Sequence, residues 1–180
     1  MRTTSATREL FGGAITAVAP LNLIDASDLR QVPDTQEVFL YPDSSASIIV
    51  EILQRVDATD DEPAIRFHFD SLAHDNSALA FSVDAVAVIA NTRGNGTPPA
   101  TTLTGVQSVP KFNLTTPDQV RVLMALFRVA DKNVDLVVTF NIPMNSQDDG
   151  AVSEEGQNVV RVHFDDFVTS LRIVDFGLFV

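Results

Sequence analysis

The sequence predicts an α+β fold, a single domain in which helices flank a mainly antiparallel β-sheet. Residues 79–145 contain four segments of strand length that are rich in Val, Ile, Phe and Thr. Apolar residues recur at helical spacing before and after that region. With 180 residues, 45% hydrophobic content and 20% charged residues, the chain suits one globular domain with a sizeable core.

The N-terminal part is predicted to begin the fold at residue 10. Residues 1–9 are expected to form a flexible polar tail, and residues 10–180 a single folded domain. After Leu10 and Phe11, the pair Gly12-Gly13 indicates a bulge or tight turn in a hairpin-like entry. A short strand is expected to follow, up to residue 20.

The stretch IDASDLRQVPDTQEVFLYP, residues 24–42, combines three local signals. Asp25 is placed to cap a short helical turn, with Asp28 three residues later in a capping-box arrangement. Pro33 ends that turn, because the residue before a proline avoids the α conformation. A strand is expected over residues 36–42, ended by Pro42.

Two helices are expected next. The first is predicted over residues 48–56, capped by one of the serines at positions 44, 45 and 47. Its apolar residues recur at helical spacing: Ile48, Ile49, Ile52, Leu53 and Val56. The second is predicted to follow a cap at Asp60 or Asp61, with Pro63 in its first turn, although its RFHF segment is also compatible with a strand. Its inner face comprises Ile65, Phe69 and Leu72.

The four strand-like segments are LAFSVDAVAVIA, TLTGVQSVPKF, QVRVLMALFRVA and VDLVVTFNIPM. The residues ADKN at 130–133 indicate a tight hairpin between the last two, and residues 91–102 an exposed connection. A C-terminal helix is then expected, with one apolar stripe: Val160, Phe164, Phe167, Val168 and Leu171. The apolar tail IVDFGLFV is expected to add a final strand.

The charge balance favours a basic protein partner. Twelve Lys and Arg oppose 24 Asp and Glu, so the net charge is −12, which disfavours nucleic acid and anionic membrane surfaces. The acidic runs at 57–62 and 148–155 are interpreted as solvated loops. The N-terminus lacks the apolar core of a secretory signal and no apolar stretch is long enough to span a bilayer, so a cytosolic or nuclear protein is expected.

No motif predicts a catalytic, cofactor or metal site. The chain has no cysteine, which excludes disulfides, zinc-thiolate sites and thiol nucleophiles. His68 and His74 are six residues apart, unlike a metal-binding pair, and His68 is interpreted as a residue at the edge of the core. Phosphate-binding glycine loops and a GxSxG elbow are also missing from the sequence.

The acids of residues 24–42 have both a structural and a functional interpretation. Asp25 and Asp28 suit a helix cap and a first-turn acid, and Asp34 suits a Pro-Asp turn. Arg30 lies among them as a possible ion-pair partner. Glu37 is less readily explained, because acids are poor strand residues and nothing local pairs with it. These residues are therefore either parts of local structure or a surface for a basic partner.

A resemblance favours the second interpretation. The segments LFGGAI, IDASDLRQVPDTQEVF and SIIVEIL resemble the Ran guanine nucleotide release factor family, nuclear import proteins of the Mog type. The likeness is nearly continuous over residues 10–56 and continues more weakly in FHFDSLA, DLVVTFNIP and DFGLF. The loop at 91–102 and the lack of Trp depart from the family pattern. The fold implied is a twisted antiparallel sheet flanked by helices, a PsbP-like α/β/α sandwich.

The resemblance also implies a function. It implies binding to the small GTPase Ran, in its GTP-bound or nucleotide-free form, and promotion of GTP release without a catalytic site or cofactor. The implied Ran-binding residues are Asp25, Asp28, Arg30, Asp34 and Glu37. A monomer is expected, in the nucleus with some in the cytoplasm, without direct contact to nucleic acid or membrane.

Three alternatives stay open. One is an acidic adaptor that binds a basic protein without affecting nucleotide. Another is a small-ligand or enzymatic domain, which predicts a deep polar pocket away from residues 25–37. The last is a scaffolding subunit with a large exposed apolar patch.

Overall fold

A computed structural model of the protein describes residues 4–90, 95–111, 116–145 and 150–180. The strands are β1 (Ser5–Leu10), β2 (Ile15–Pro20), β3 (Ile24–Asp25), β4 (Gln36–Leu40), β5 (Ser47–Gln54), β6 (Ala80–Ile89), β7 (Ala100–Val109), β8 (Asp118–Val129), β9 (Val134–Asn145) and β10 (Arg172–Ile173). The helices are α1 (Asp61–Asp75) and α2 (Glu154–Ser170). Among the described residues, no helix is long and apolar enough to cross a membrane.

The strands form one large and one small sheet. The large sheet has the order β3-β4-β5-β9-β8-β7-β6, and the small sheet the order β1-β2-β10. All neighbouring strands described in both sheets are antiparallel. The predicted α+β fold with a mainly antiparallel sheet is therefore confirmed.

The large sheet is covered on both faces, as strand β8 illustrates. Its residues Val122, Met124 and Leu126 join a buried cluster that includes Ile65 and Phe69 of α1. The alternate residues of β8 join a second cluster with α2 and the small sheet: Leu123, Ala125 and Phe127. Because successive side chains of a strand point to opposite faces, one apolar strand serves both cores. The layers are thus α1, the large sheet, and then α2 beside the small sheet.

The predicted helix at residues 48–56 is wrong, because this segment is strand β5. It pairs with β4 on one side and with β9 on the other. Ile48 and Val50 are fully buried on one face, while Leu53 packs on the α1 side. A central strand covered on both faces is apolar at nearly every position, so its sequence also satisfies helical spacing.

The predicted flexible tail over residues 1–9 is wrong for residues 5–9. These residues belong to β1, which pairs along its whole length with β2, from Ser5 opposite Pro20 to Leu10 opposite Ile15. The turn between them is the predicted tight turn at Gly12-Gly13. Exposed Thr7 and Glu9 alternate with more covered residues in β1, as expected for a strand at a sheet edge.

The two remaining helices are confirmed. Helix α1 begins after Asp60, and Ile65 and Phe69 are buried in its inner face. In α2, Ser153 caps the first turn by accepting a hydrogen bond from the Gly156 amide. The predicted stripe of α2 faces the core, from Val160 to Leu171. The acidic runs also contribute to helix starts, since residues 61–62 and 154–155 lie in first turns, where acids are favourable.

The strand-rich region has its predicted arrangement, with two differences near its ends. Strands β6 to β9 follow in order, and a short turn at Ala130–Lys132 joins β8 to β9. The connection predicted as exposed over 91–102 is partly buried, because Thr97 and Thr101 are covered. Residues 91–94 lie outside the described residues. The predicted C-terminal strand is reduced to β10, followed by a 3-10 turn at Phe176–Leu178.

A buried polar network joins α1 to the large sheet. The Asp135 carboxylate is fully buried and accepts hydrogen bonds from His68 Nε2 at 2.8 Å and Arg128 Nε at 3.1 Å. It also accepts one from the Val56 amide at 3.1 Å. Arg128 donates further bonds to the carbonyl oxygens of Val56 and Ala58, each at 2.6 Å. His68 therefore has a structural partner, as its interpretation as a core-edge residue predicted.

Gly105 in β7 is required by the packing of α1. A Cβ atom there would lie 2.6 Å from the Ser82 carbonyl oxygen and 2.7 Å from Phe69 Cζ. We therefore expect Gly105→Ala to lower the free energy of unfolding by about 1–3 kcal/mol, because the strand or the ring must shift. Urea unfolding checks this prediction, and an unchanged midpoint would contradict it.

Candidate functional site

The acidic segment, residues 21–37, lies at one edge of the large sheet. Strand β3 is the outermost strand and pairs with β4 through two residues only, Ile24 opposite Leu40 and Asp25 opposite Phe39. A 3-10 turn at Ala26–Asp28 follows β3, and an irregular stretch then leads to β4. The chain thus leaves the sheet after two residues and crosses the edge as a loop.

Asp25 caps the 3-10 turn. Its Oδ1 accepts hydrogen bonds from the Ser27 amide at 2.9 Å and from the Ser27 hydroxyl at 2.7 Å. The Asp28 side chain makes no hydrogen bond among the described residues, so the cap is confirmed without the reciprocal capping-box bond. The Asp25 carboxylate is therefore committed to local structure.

Glu37 has a distant partner that the sequence did not indicate. Its Oε1 accepts a hydrogen bond from the Phe11 amide at 2.7 Å, across 26 residues of sequence. Phe11 begins a turn with positive φ at three consecutive residues, 50° at Phe11, 67° at Gly12 and 93° at Gly13. Left-handed backbone at Phe11 is uncommon for a non-glycine residue. Glu37 thus holds the β1–β2 turn against the acidic segment.

The side chains of the other three predicted residues have no intramolecular partner. Asp28, Arg30 and Asp34 are exposed, and no side chain among them forms a hydrogen bond or ion pair within the described part of the chain. Exposed charges without an internal partner are available to a second molecule. All five predicted residues therefore lie on one edge, but they fall into two groups: the side chains of Asp25 and Glu37 have internal bonds, and those of the remaining three do not.

Sequence reasoning missed the apolar part of this edge. Leu21, Ile24 and Leu29 are exposed within the same segment. Their signal was present in the sequence, as apolar residues in a stretch otherwise composed of turn residues and acids. The edge is therefore acidic and apolar at once.

A cleft of about 390 Å³ lies elsewhere, between α1 and the large sheet. Its polar lining includes Glu51, His68 and Asp75. Burial raises the pKa of Glu51 above its ordinary value of 4.5, and the negative charge of Asp75 raises it further. The hydrogen bond from Gln36 lowers this pKa but does not cancel the increase. Because Glu51 is bonded to Gln36 and His68 to Asp135, two of these polar groups are already engaged.

Metal binding has no support in the described ranges. No group of three or more His, Asp or Glu side chains within residues 4–90, 95–111, 116–145 and 150–180 is arranged to hold a metal ion. The acidic edge is thus the stronger candidate site.

Fold and edge together define a class, a one-domain α+β protein with exposed charged and apolar side chains on one edge of its large sheet. Within this class, the chain belongs to the Ran-interacting Mog1 protein family, whose model matches residues 8–143. That range includes the whole acidic segment. The resemblance noted in the sequence is confirmed.

Relatives in animals and yeast match nearly the whole chain. The Ran guanine nucleotide release factor of Danio rerio is 34% identical over 180 residues, covering 96% of this chain and 98% of the relative. Its namesake in Homo sapiens is 35% identical over 178 residues, covering 94% of each. Nuclear import protein MOG1 of Saccharomyces cerevisiae is 32% identical over 190 residues, covering 95% of this chain and 83% of the relative.

The fold also matches a solved structure. The crystal structure of the Saccharomyces cerevisiae Ran-binding protein Mog1p superimposes with a TM-score of 0.76 at 28% sequence identity. The match covers 99% of this chain and 100% of that one. The arrangement of sheets and helices described above is therefore the family fold.

Proposed function

We propose that this protein binds the small GTPase Ran through the acidic segment and promotes release of GTP from it, in support of nuclear protein import. The observation that carries the proposal is the exposure of Asp28, Arg30 and Asp34 without internal partners. The family name and the names of the relatives supply the partner and the activity.

The five predicted residues have different roles in this proposal. Asp28, Arg30 and Asp34 contact Ran directly. Asp25 fixes the turn that presents them. Glu37 does both, since Oε1 holds the Phe11 amide while Oε2 has no hydrogen bond among the described residues and accepts one from Ran.

The protein acts on nucleotide by binding alone, as a regulator without a catalytic residue. A GTPase holds its nucleotide through backbone amides, a phosphate-binding Lys and Mg²⁺. An acidic loop competes for the basic groups or places like charge next to the phosphates. Either effect weakens nucleotide binding and favours a nucleotide-poor complex.

The remaining parts of the proposal extend the resemblance to the family. The GTP-bound or nucleotide-free form of Ran is the preferred partner, and the protein acts as a monomer. Its acidic surface avoids nucleic acid and membrane lipids. It resides mainly in the nucleus, with a fraction in the cytoplasm, and supports Ran-dependent import from there.

The test is nucleotide release from purified Ran. Ran is loaded with fluorescent GTP or, separately, fluorescent GDP, and the loss of signal is followed with and without this protein in the presence of excess unlabelled nucleotide. We expect GTP release to accelerate at least tenfold, with binding measured in parallel.

Each other outcome has a definite meaning. Binding without faster release would contradict the release activity and favour the adaptor alternative. Absence of binding would contradict the proposed partner and direct attention to the cleft beside α1.

A further inference from the structure

The acidic segment exposes three large apolar side chains. Leu21 is 60% exposed, Ile24 38% and Leu29 68%. Single exposed Leu or Ile residues are common on soluble proteins and need no explanation. These three, however, lie within nine residues of sequence, in the same segment as the uncommitted charges. The structure of the isolated protein does not explain why these apolar side chains and the unpartnered charged side chains are exposed together.

Leu29 is presented on a fixed backbone. It follows the 3-10 turn, and its amide donates a hydrogen bond to the Ala26 carbonyl at 3.0 Å. The Arg30 amide donates to the same oxygen at 3.0 Å. Ala26 itself is fully buried, which anchors the turn to the core. Leu29, the most exposed of the three apolar side chains, therefore lies next to a hydrogen-bonded turn. Its burial by a partner would order little additional backbone.

Internal packing does not account for Leu29. The neighbouring Leu23 is buried in the main core, so the segment already supplies an apolar contact to the fold. Asp28 and Arg30 flank Leu29 directly, and both are exposed. An apolar centre bordered by charged groups is the usual anatomy of a protein–protein contact, in which the centre is desolvated and the rim stays wet.

We propose that Leu29, supported by Ile24 and Leu21, is the apolar anchor of the contact with Ran, and that it occupies an apolar depression bordered by basic side chains. This inference rests on the proposed function and deepens it. The acids bring the two proteins together and set their orientation, while Leu29 holds the complex once it has formed. The partner surface must therefore be apolar at its centre and positively charged around it, which distinguishes it from a uniformly basic surface.

The two kinds of contact have different kinetic signatures. Charges at a rim change the association rate and its dependence on salt. A desolvated apolar contact changes mainly the dissociation rate, and salt hardly screens it. Truncation of Leu29 is thus distinguishable from neutralisation of the acids in the same assay.

The experiment compares Leu29→Ala with Leu79→Ala. Leu79 is 70% exposed and precedes β6, at the opposite edge of the large sheet, six strand spacings or roughly 29 Å from β3. Binding of each variant to purified Ran is measured by surface plasmon resonance at low and at high salt. We expect Leu29→Ala to raise the dissociation constant about tenfold at both salt concentrations, through faster dissociation, and Leu79→Ala to leave it unchanged.

Leu29→Lys is a second variant at the same position. A positive charge directed at a basic rim should weaken binding further, about 100-fold, whereas its thermal unfolding should match the wild type because the side chain is exposed. Normal affinity of both Leu29 variants, with wild-type binding intact, would overturn the anchor and leave the proposed function standing. An equal loss in Leu79→Ala would also overturn it. If the wild type fails to bind Ran, the proposed function fails first.

Discussion

Neutralising Asp28, Asp34 and Glu37 together is expected to weaken binding to Ran about 100-fold and to abolish the acceleration of GTP release. In the proposed contact, the three carboxylates supply the negative charge that attracts basic groups on the partner. Loss of that charge should appear mainly as slower association, because exposed charges steer the encounter of two proteins. The association rate of the variant should also depend less on salt than that of the wild type, because the variant has fewer exposed charges for salt to screen. Such screening is strong at physiological ionic strength, where the Debye length is about 8 Å.

The substitutions must remove charge without disturbing the fold, so that a loss of binding can be attributed to the charge. Glu37→Ala would remove the acceptor for the Phe11 amide and release the left-handed turn at residues 11–13, so it would disturb fold and charge together. Glu37→Gln keeps a carbonyl oxygen to accept from the Phe11 amide, while it removes the charge and replaces Oε2, the proposed acceptor from Ran, by an NH2 group that donates. Asp28→Asn and Asp34→Asn are likewise close to isosteric. Thermal unfolding of the triple variant should therefore stay near that of the wild type.

A matched control has the same change in net charge elsewhere. Asp60→Asn, Asp70→Asn and Asp131→Asn remove three exposed carboxylates that lie outside the acidic segment. The Asp60 side chain precedes α1 without making a capping hydrogen bond, and Asn is as favourable as Asp at that position. This control should retain much more affinity than the triple variant, because its charges lie outside the acidic segment. A loss of affinity as large in the control as in the triple variant would mean that overall charge, and not the acidic segment, attracts Ran.

Removing Asp135 is expected to cause the largest loss of stability, about 3–5 kcal/mol of unfolding free energy for Asp135→Ala. The substitution leaves the Arg128 guanidinium buried without its counter-charge and takes the acceptor from His68 and from the Val56 amide. A buried charge that loses its partner costs far more than an exposed one. Chemical denaturation monitored by circular dichroism measures this loss.

The Asp135 contribution should depend on pH in a defined direction. Burial alone would raise the pKa of Asp135, but hydrogen bonds from His68, the Val56 amide and Arg128, together with the Arg128 charge, hold the pKa below its ordinary value of 3.8. The unfolded chain therefore binds a proton at this group before the folded chain does. The stability it contributes is complete above pH 3.8 and is lost as the pH falls through the lower folded value. The difference between wild type and Asp135→Ala should accordingly shrink below about pH 4.

An exposed pair of the same chemistry provides the control. Glu62 and Arg66 form an ion pair at 3.0 Å on the surface of α1, with both side chains about half exposed. Glu62→Ala should cost less than about 1 kcal/mol, because solvent screens such pairs. Equal costs for Asp135→Ala and Glu62→Ala would show that burial of the network adds nothing to stability.

The sequence predicted those elements that carry an unambiguous period. Helix α2 has its apolar residues on one stripe, and strands β6 to β9 are rich in β-branched residues between turn signals. The prediction of a helix at strand β5 was wrong because the strand is apolar on both faces. Its apolar residues then fit the helical period as well as the strand period: Ile48, Ile49, Ile52 and Leu53. Strand β1 was missed because an edge strand with one exposed face carries little apolar signal.

The acidic segment and the cap at Asp25 were predictable, but the bond that Glu37 makes was not. The density of acids and the family resemblance were the basis for predicting the segment and its five residues. The partner of Glu37 could not be inferred, since Phe11 is 26 residues away and contributes a backbone amide, which has no sequence signature. Asp135 within VDLVVTF and Arg128 within LFRVA were visible as charges in apolar strands, a pattern that indicates a buried pair. Their pairing with His68 depended on the position of α1.

The strand order has a practical consequence for measurement. The acidic segment and β6 occupy opposite edges of one sheet, and the sequence contains no cysteine. A single cysteine introduced at Leu79 would therefore carry one fluorophore at a defined position, remote from the proposed contact. Energy transfer from that dye to labelled Ran would report formation of the complex and its distance in real time, without altering any residue of the acidic segment.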